Sequence, residues 1–552
     1  RVAACEDTHL RGIQSEQLLD QRTLCLDRRV RRMGEVLTVL EAADVDTLGR
    51  ANTLVDSLDD LDDCANREAL TRAGAPPEDP ARRKVVADLE AAVDRAQTLR
   101  LAGRYEQAVA AAREAMASAD EQEHGPTRIS SRYELGRSIG EFDDAASESR
   151  ERLFEGFEMA LAADDREWAA RVGASLLSDS TTRRDNDEVE LWYRISTALL
   201  VGVEDPKRVR AALINNYGNA KNATSDFDEA ADLFREAHQL YAEAYGPRST
   251  QAADALHNLG RAYWYSNHRE EAVKCSQEAV EIWREHIGDR HPKINLGLSA
   301  LALFELEAGH DERATEIQRD VVERTIELFG DQHMSTAQAW INLAGISLYG
   351  GSSEEARRAV ASADAIYRYN GREGTPRYAN VLGSSANIDV VDGRYQDALE
   401  KLDRSLELQG PDGNPWVVGS IRISRGEALV GLGDLRDARR EFLLGLELLP
   451  PSIAAGSFIE VLVDLMDLDV VLGDVTAAHE WEAQVLERLQ SQTPGPLESG
   501  EYQRARWRLA RAEGRDADAD AALKASREAF SKAGRGGRME LAKLEAELAA
   551  EH

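Results

Sequence analysis

Alanine recurs along this chain at an interval that fixes its architecture. Ala230, Ala272, Ala314, Ala356 and Ala398 stand 42 residues apart, followed by Ala438 and Ala478 at steps of 40 and Ala519 at 41. Glycine lies five residues before six of them: Gly309, Gly351, Gly393, Gly433, Gly473 and Gly514. Ser225 and Asn267 hold that place in two repeats, while Gly103 with Ala108 and Gly140 with Ala145 repeat the signature upstream. The gap from Gly140 to Ser225, about two periods, holds a degenerate unit, REWAARVGASLLSD followed by NDEVELWYRISTALL. A fixed period of this length marks a stack of similar units. Each unit reads as two amphipathic helices. The glycine turns the chain sharply after the first, and the alanine sits where a larger side chain would force the pair apart. About eleven such hairpins stack into a superhelix with a concave inner face.

The best-preserved copy spans residues 255–292. Leu256, Leu259, Tyr263 and Trp264 form the apolar side of its first helix; Ala272, Val273, Ala279, Val280 and Trp283 form that of its second. The chain is rich in Ala, Leu, Glu and Arg and poor in aromatics and Pro, which favours an all-α protein. Four segments follow: a helical N-terminal unit at 1–80, divergent repeats at 81–201, regular repeats at 202–450, and C-terminal repeats with a capping helix at 451–552. Ser15 caps a long helix through the Ala42–Ala43 region, and a second helix runs from about Asp46 to Leu58. Pro76, Pro77 and Pro80 break the helical pattern as a linker. Three of the four cysteines, Cys5, Cys25 and Cys64, fall in this first unit; Cys275 is a small core residue of a repeat helix. An antiparallel fold about residue 44 brings Cys25 opposite Cys64, the preferred disulfide. Folding back about Gly12 makes Cys5 the alternative partner, and three reduced, half-buried thiols are the other reading.

A formal net charge of −33 argues against general nucleic-acid binding, since phosphates would be repelled. It suits basic partners, or simply a well-solvated surface. No apolar run reaches the roughly 20 residues of a membrane helix. We find no cofactor motif, no metal-ligand spacing and no catalytic constellation, so no enzyme is expected within this chain. The histidines suit caps and loops better than metal. The Gly534–Gly537 run has no strand before it and reads as a hinge before the last helix. Paired acids such as Glu270 and Glu271 precede a repeat alanine at a helix start, where negative charge is favourable.

At Leu259, Gly260, Tyr263, Ala272 and Ala279, with Phe234 and Ala237 one repeat earlier, the sequence resembles tetratricopeptide repeats. The 42-residue period and the loops Gly288-Asp-Arg-His291-Pro292 and Gly330-Asp-Gln-His333 are similar to the kinesin-light-chain type. The resemblance covers about residues 84–545 and implies a protein or peptide ligand in the concave groove. Fourteen residues before each repeat alanine lie Asn216, Asn258, Ala300, Asn342, Ser384 and Ser424, a position that generally faces the groove in that family. An Asn amide can donate to a peptide carbonyl and accept from its N–H. Asn215, Asn216, Asn219, Asn258 and Asn342 are therefore the candidate peptide ladder; the competing reading has these amides bonding the neighbouring helix. The Lys/Arg carboxylate clamp of chaperone-binding repeats is not expected, since Asn215, Leu296 and Ala300 hold those places.

A second resemblance rests on Ala4-Cys5-Glu-Asp-Thr8, Gly12-Ile-Gln14-Ser15, Leu24-Cys25-Leu26-Asp27-Arg28-Arg29 and Cys64. This segment is similar to the region after the membrane helix in myxobacterial-type serine/threonine protein kinases. The resemblance implies a kinase domain and a membrane tether upstream of Arg1, and a repeat array on the extracytoplasmic side of a bacterial membrane acting as a sensor, with an oligomer permitted. The alternative is a cytoplasmic tetratricopeptide scaffold or adaptor with no kinase attached.

Overall fold

The computed structural model describes residues 2–11, 14–44, 47, 50–58, 61–65, 70, 77, 79–142, 147–224, 226–266, 268–410, 413–449, 455–491 and 495–550. Among these the fold is all-α, with twenty-six α-helices, two short 3-10 segments and no strand. None of these helices is long and apolar enough to cross a membrane. The chain divides into two units: residues 1–220 with 236–247, and residues 221–235 with 248–552.

The first unit opens with α1 (Val2–His9), α2 (Glu16–Glu41) and α3 (Ala51–Asp56). Ser15 caps α2 by accepting from the Leu18 N–H. A disulfide joins Cys25 on α2 to Cys64, 39 residues on, while Cys5 is a free, exposed thiol. Gly12 and Asp46 lie outside the described residues. Hairpins then follow: α4 (Pro80–Leu101) with α5 (Tyr105–Glu121), α6 (Gly125–Phe142) with α7 (Ser147–Ala162), and α8 (Arg166–Thr182) with α9 (Asn186–Leu200); α10 (Lys207–Ala223) and α11 (Phe227–Tyr245) come next in the chain, each divided between the two units. Pro80 is the first residue of α4, and Asp79 caps it; only Pro77 of the remaining linker is described. Arg28 of α2 reaches Asp94 and Glu90 of α4, tying the N-terminal helices to the array.

The second unit carries α12 (Thr250–Tyr265), α13 (Arg269–Ile287), α14 (Pro292–Glu307), α15 (Asp311–Phe329), α16 (Met334–Tyr349), α17 (Ser353–Tyr369), α18 (Ala379–Val391), α19 (Tyr395–Gln409), α20 (Pro415–Leu432), α21 (Leu435–Leu448), α22 (Ala455–Leu472), α23 (Val475–Ser491), α24 (Pro496–Ala512), α25 (Asp516–Lys532) and α26 (Gly534–Ala550). They pair in sequence, and α26 closes the array.

The repeat glycines turn as their spacing predicts. Gly103, Gly309, Gly351, Gly393, Gly433, Gly473 and Gly514 all have φ between 71° and 85°, a region where a Cβ is strained. Ala272, Ala314, Ala356, Ala398, Ala438 and Ala478 are fully buried. Gly140 departs from the pattern. It lies inside α6, which runs on to Phe142; Ala145 is outside the described residues. In the divergent repeats Glu123, Asp164 and Arg184 take the left-handed conformation instead of glycine, which is why the signature fades there. Gly534 opens α26 rather than preceding it as a hinge, and Gly536 packs where a Cβ would come within 3.0 Å of the Tyr349 carbonyl.

Trp283 shows how a hairpin is held. Its ring is 1% exposed, a burial that contributes on the order of 2–3 kcal/mol. Its indole N–H donates to Asp254 at 2.9 Å, and Lys293 bonds the same carboxylate at 2.7 Å. A packed core thus carries a satisfied polar edge.

Candidate functional site

The ladder register falls on first helices of hairpins in both units. Asn215, Asn216 and Asn219 lie on α10 in the first; Asn258 and Asn342 lie on α12 and α16 in the second. The amide of Asn216 donates to the Ala174 carbonyl of the preceding hairpin at 3.1 Å. The neighbour-bonding reading therefore describes that group. Asn342, half-buried, accepts from Gln338 on its own helix at 2.9 Å. Asn215 and Asn258 are half-buried and Asn219 is exposed.

Two concave cavities stand out, and their charge is opposite. In the first unit, about 670 Å3 is lined by Tyr133, Arg137, Arg171, Arg208, Asn216 and Tyr245 among others. Burial would raise the Tyr133 hydroxyl, but Arg137, a bond with Ser175 and Arg171 outweigh it and hold it below the usual tyrosine value. In the second unit, a cavity of about 600 Å3 is lined by the first helices of successive hairpins, α16, α18, α20, α22 and α24, and by α26. Tyr349, Val391, Trp416 and Val430 line it although they are 61%, 43%, 49% and 42% exposed. Apolar groups left in water together on a concave surface mark a place where something docks.

Carboxyls share that second cavity. Glu427, Glu460, Asp464, Glu501 and Glu540 line it against Arg504 and Lys543. Glu540 bonds both cations, at 2.9 Å and 2.6 Å. Glu427, which water still reaches, is pushed up to about 7 by the surrounding protein. Glu501 rises to about 7 through burial, with Arg504 opposing. Burial, and then neighbouring acids, carry Glu460 and Asp464 well above the carboxylate range. A third cavity of about 860 Å3 differs in that two of its acids are held in ion pairs, Glu305 with His310 and Arg313, and Glu355 with Arg319.

The acids were within reach of the sequence. The register of Asn216 and Asn342 reaches Asp464, fourteen before Ala478. Glu460 and Glu501 lie eighteen before Ala478 and Ala519, and Glu427 lies eleven before Ala438. A search confined to one register and to amides stops at Ser424. A second unnoticed feature is the buried serine seam: Ser149, Ser405 and Ser526 donate to the Gly136, Ala379 and Gly500 carbonyls of the partner helix.

The histidines cap. His291 and His333 accept from the Lys293 and Ser335 N–H groups at the starts of α14 and α16. No cluster of metal-binding side chains occurs among the described residues.

These features define an α-solenoid whose inner faces hold its candidate sites. Family models described as tetratricopeptide repeat match residues 209–285 and 298–333. Those residues therefore carry tetratricopeptide repeats, set within a longer run of helical hairpins. Among curated proteins none matches the sequence. Similar solved structures include a Rap protein complexed with competence and sporulation factor, 15% identical over 67% of this chain and 98% of that one, with a TM-score of 0.47. The apo form of RapI is 12% identical over 66% and 98%, with a TM-score of 0.47. A Podosopora anserina putative kinesin light chain with nearly identical TPR-like repeats is 20% identical over 37% and 96%, with a TM-score of 0.33.

Proposed function

We propose that this chain binds a protein or peptide segment along its concave faces, and that it is the sensor or interaction region of a membrane-anchored serine/threonine protein kinase. The first part is carried by one observation: Tyr349, Val391, Trp416 and Val430 are water-exposed apolar residues gathered on a single cavity. An extended segment laid there buries apolar area on both partners. Linear 12-mers selected from a random library on the intact chain test it. Ser178→Trp and Ser420→Trp each fill one of the two concave cavities. Selected peptides should lose binding to one variant or the other; peptides that bind both variants unchanged overturn the groove reading.

The kinase attachment is supported by the Cys5–Cys64 segment and its resemblance, and by the Cys25–Cys64 disulfide, which suits an oxidising compartment. In that reading the array is extracytoplasmic and the first helices lead toward a membrane tether. Reading the coding sequence upstream of Arg1 tests this: a kinase domain and one membrane helix are expected. Their absence, with the cysteines reduced in cells, leaves a cytoplasmic adaptor.

A further inference from the structure

We propose that the cavity of the second unit takes a basic, apolar peptide segment, with a lysine or arginine head set among Glu427, Glu460, Asp464 and Glu501 and aliphatic or aromatic neighbours against Tyr349, Trp416 and Val430. The inference rests on the groove reading above and adds the chemistry of the ligand.

The charge balance of the cavity carries it. Glu540 bonds both Arg504 and Lys543, which leaves a single surplus positive charge against the remaining acids. Asp467 is bonded by Arg508, which also holds Glu547. Glu498 is held by Arg269 and by the Gly495 N–H. The other four acids make no ion pair among the described residues, yet they face one cavity from three helices: Glu427 from α20, Glu460 and Asp464 from α22, and Glu501 from α24. Unpaired carboxylates confined together repel, so part of the set stays protonated near neutral pH. A solvated acidic face would have no reason to concentrate its acids beside exposed aromatics. Nor do structural ion pairs account for them, as they do for Glu305 and Glu355 in the third cavity. A cation entering this space relieves the repulsion, and its apolar flanks cover side chains that water now wets. A volume of about 600 Å3 matches sites that enclose a short segment rather than a whole helix.

Because the ligand favours the ionised acids, binding releases protons. The remaining groups facing the cavity do not oppose this. The Tyr349 hydroxyl, on α16, is kept protonated by the protein packed around it and by nearby acids although water reaches the side chain, and Glu540 stays ionised between its two cations.

The probe is a fluorescent, end-capped hexapeptide alternating leucine and lysine, titrated by anisotropy against the intact chain. Leucine–glutamate and serine–lysine versions are the comparators. The leucine–lysine peptide should bind, the glutamate version should not, and the serine–lysine version should bind at least tenfold more weakly. Glu427→Gln with Asp464→Asn should weaken the leucine–lysine peptide at least tenfold. Asp516→Asn with Asp520→Asn removes the same charge from an exposed helix and should change nothing. Calorimetry at pH 7 in two buffers of different ionisation enthalpy reads proton release on the unmodified chain, so the result does not depend on the variant folding. No binding of the leucine–lysine peptide overturns the proposal. Equal loss in the two double variants, equal binding of the glutamate peptide, or no proton release does so too. Library peptides blocked by Ser420→Trp but indifferent to Glu427→Gln with Asp464→Asn would remove the charge assignment and leave the groove reading standing.

Discussion

Arg269 and Glu498 are 229 residues apart in the chain, and their side chains meet at 3.3 Å. The same guanidinium donates to the Glu307 carbonyl at 3.3 Å, and Glu498 caps α24 by accepting from the Gly495 N–H at 2.7 Å. The start of α13 is thereby fastened to the start of α24. The contact lies within the second unit and ties two hairpins far apart in sequence.

Arg269→Ala should break this contact. The two side chains are 19% and 13% exposed, between the surface and buried regimes of ion pairs, so the loss is about 1–2 kcal/mol. Hydrogen exchange should quicken over residues 496–512 and small-angle scattering should show a larger radius of gyration. Arg269→Glu with Glu498→Arg should recover both. Unchanged exchange in Arg269→Ala would mean that helix packing alone sets the curvature.

The contrast between this pair and the repeat seam explains what the sequence could tell. Ala272 and Gly260 are legible because each repeat faces the same steric requirement, so the same residue recurs at a fixed step. Arg269 with Glu498 arises once, from curvature accumulated over many hairpins, and no period announces it. The groove amides are legible as a register but not in their bonding, for a related reason. The position of Asn216 is repeated, but the partner its amide finds, the Ala174 carbonyl, depends on how closely two hairpins approach. The acids Glu460, Asp464 and Glu501 are legible one by one as groove positions. Their collective effect is not, because it needs the stacking that brings three helices to one cavity.

Ala272→Leu tests the seam. Ala272 is fully buried, and its carbonyl stands 3.2 Å from where a Cβ on Gly260 would lie. No room remains for a larger side chain, and overpacking of this kind costs about 1–3 kcal/mol. Thermal unfolding followed by circular dichroism should show the loss with helix content unchanged at 20 °C or so. A neutral result would show that the hairpins can slide apart without penalty.

Reduction of Cys25–Cys64 should loosen the N-terminal helices alone. The bond closes a loop of 39 residues, worth about 4 kcal/mol in the chain-entropy account. With Cys25→Ser and Cys64→Ser, exchange should quicken over residues 16–56 while residues 250–550 keep their protection. Equal loosening of both regions would show that the N-terminal helices support the whole array.

Acid should weaken the second unit through two histidines. His257 and His291 are 7% and 8% exposed, and burial first, then nearby cations, lowers each to about 4. The unfolded chain takes up these protons near pH 6.5, before the folded one does, so stability is full above that pH and is lost as pH falls toward 4. Each contributes up to about 3 kcal/mol. At His291 the cause is visible in the fold, since its Nδ1 accepts from the Lys293 N–H at 3.0 Å and a proton there would end the cap. The cavity acids act in the opposite sense. Their folded values are raised, so their contribution is largest at low pH and is lost as pH rises through about 7 for Glu427 and Glu501. The two windows overlap below about pH 6.5, so variants rather than a maximum in the pH curve tell the limbs apart. His291→Asn keeps a capping oxygen without the titration and should flatten the acid limb. Glu427→Gln should flatten the alkaline one. Denaturant unfolding from pH 4 to 8 separates the two, and an acid limb unchanged by His291→Asn would place the acid sensitivity elsewhere in the array.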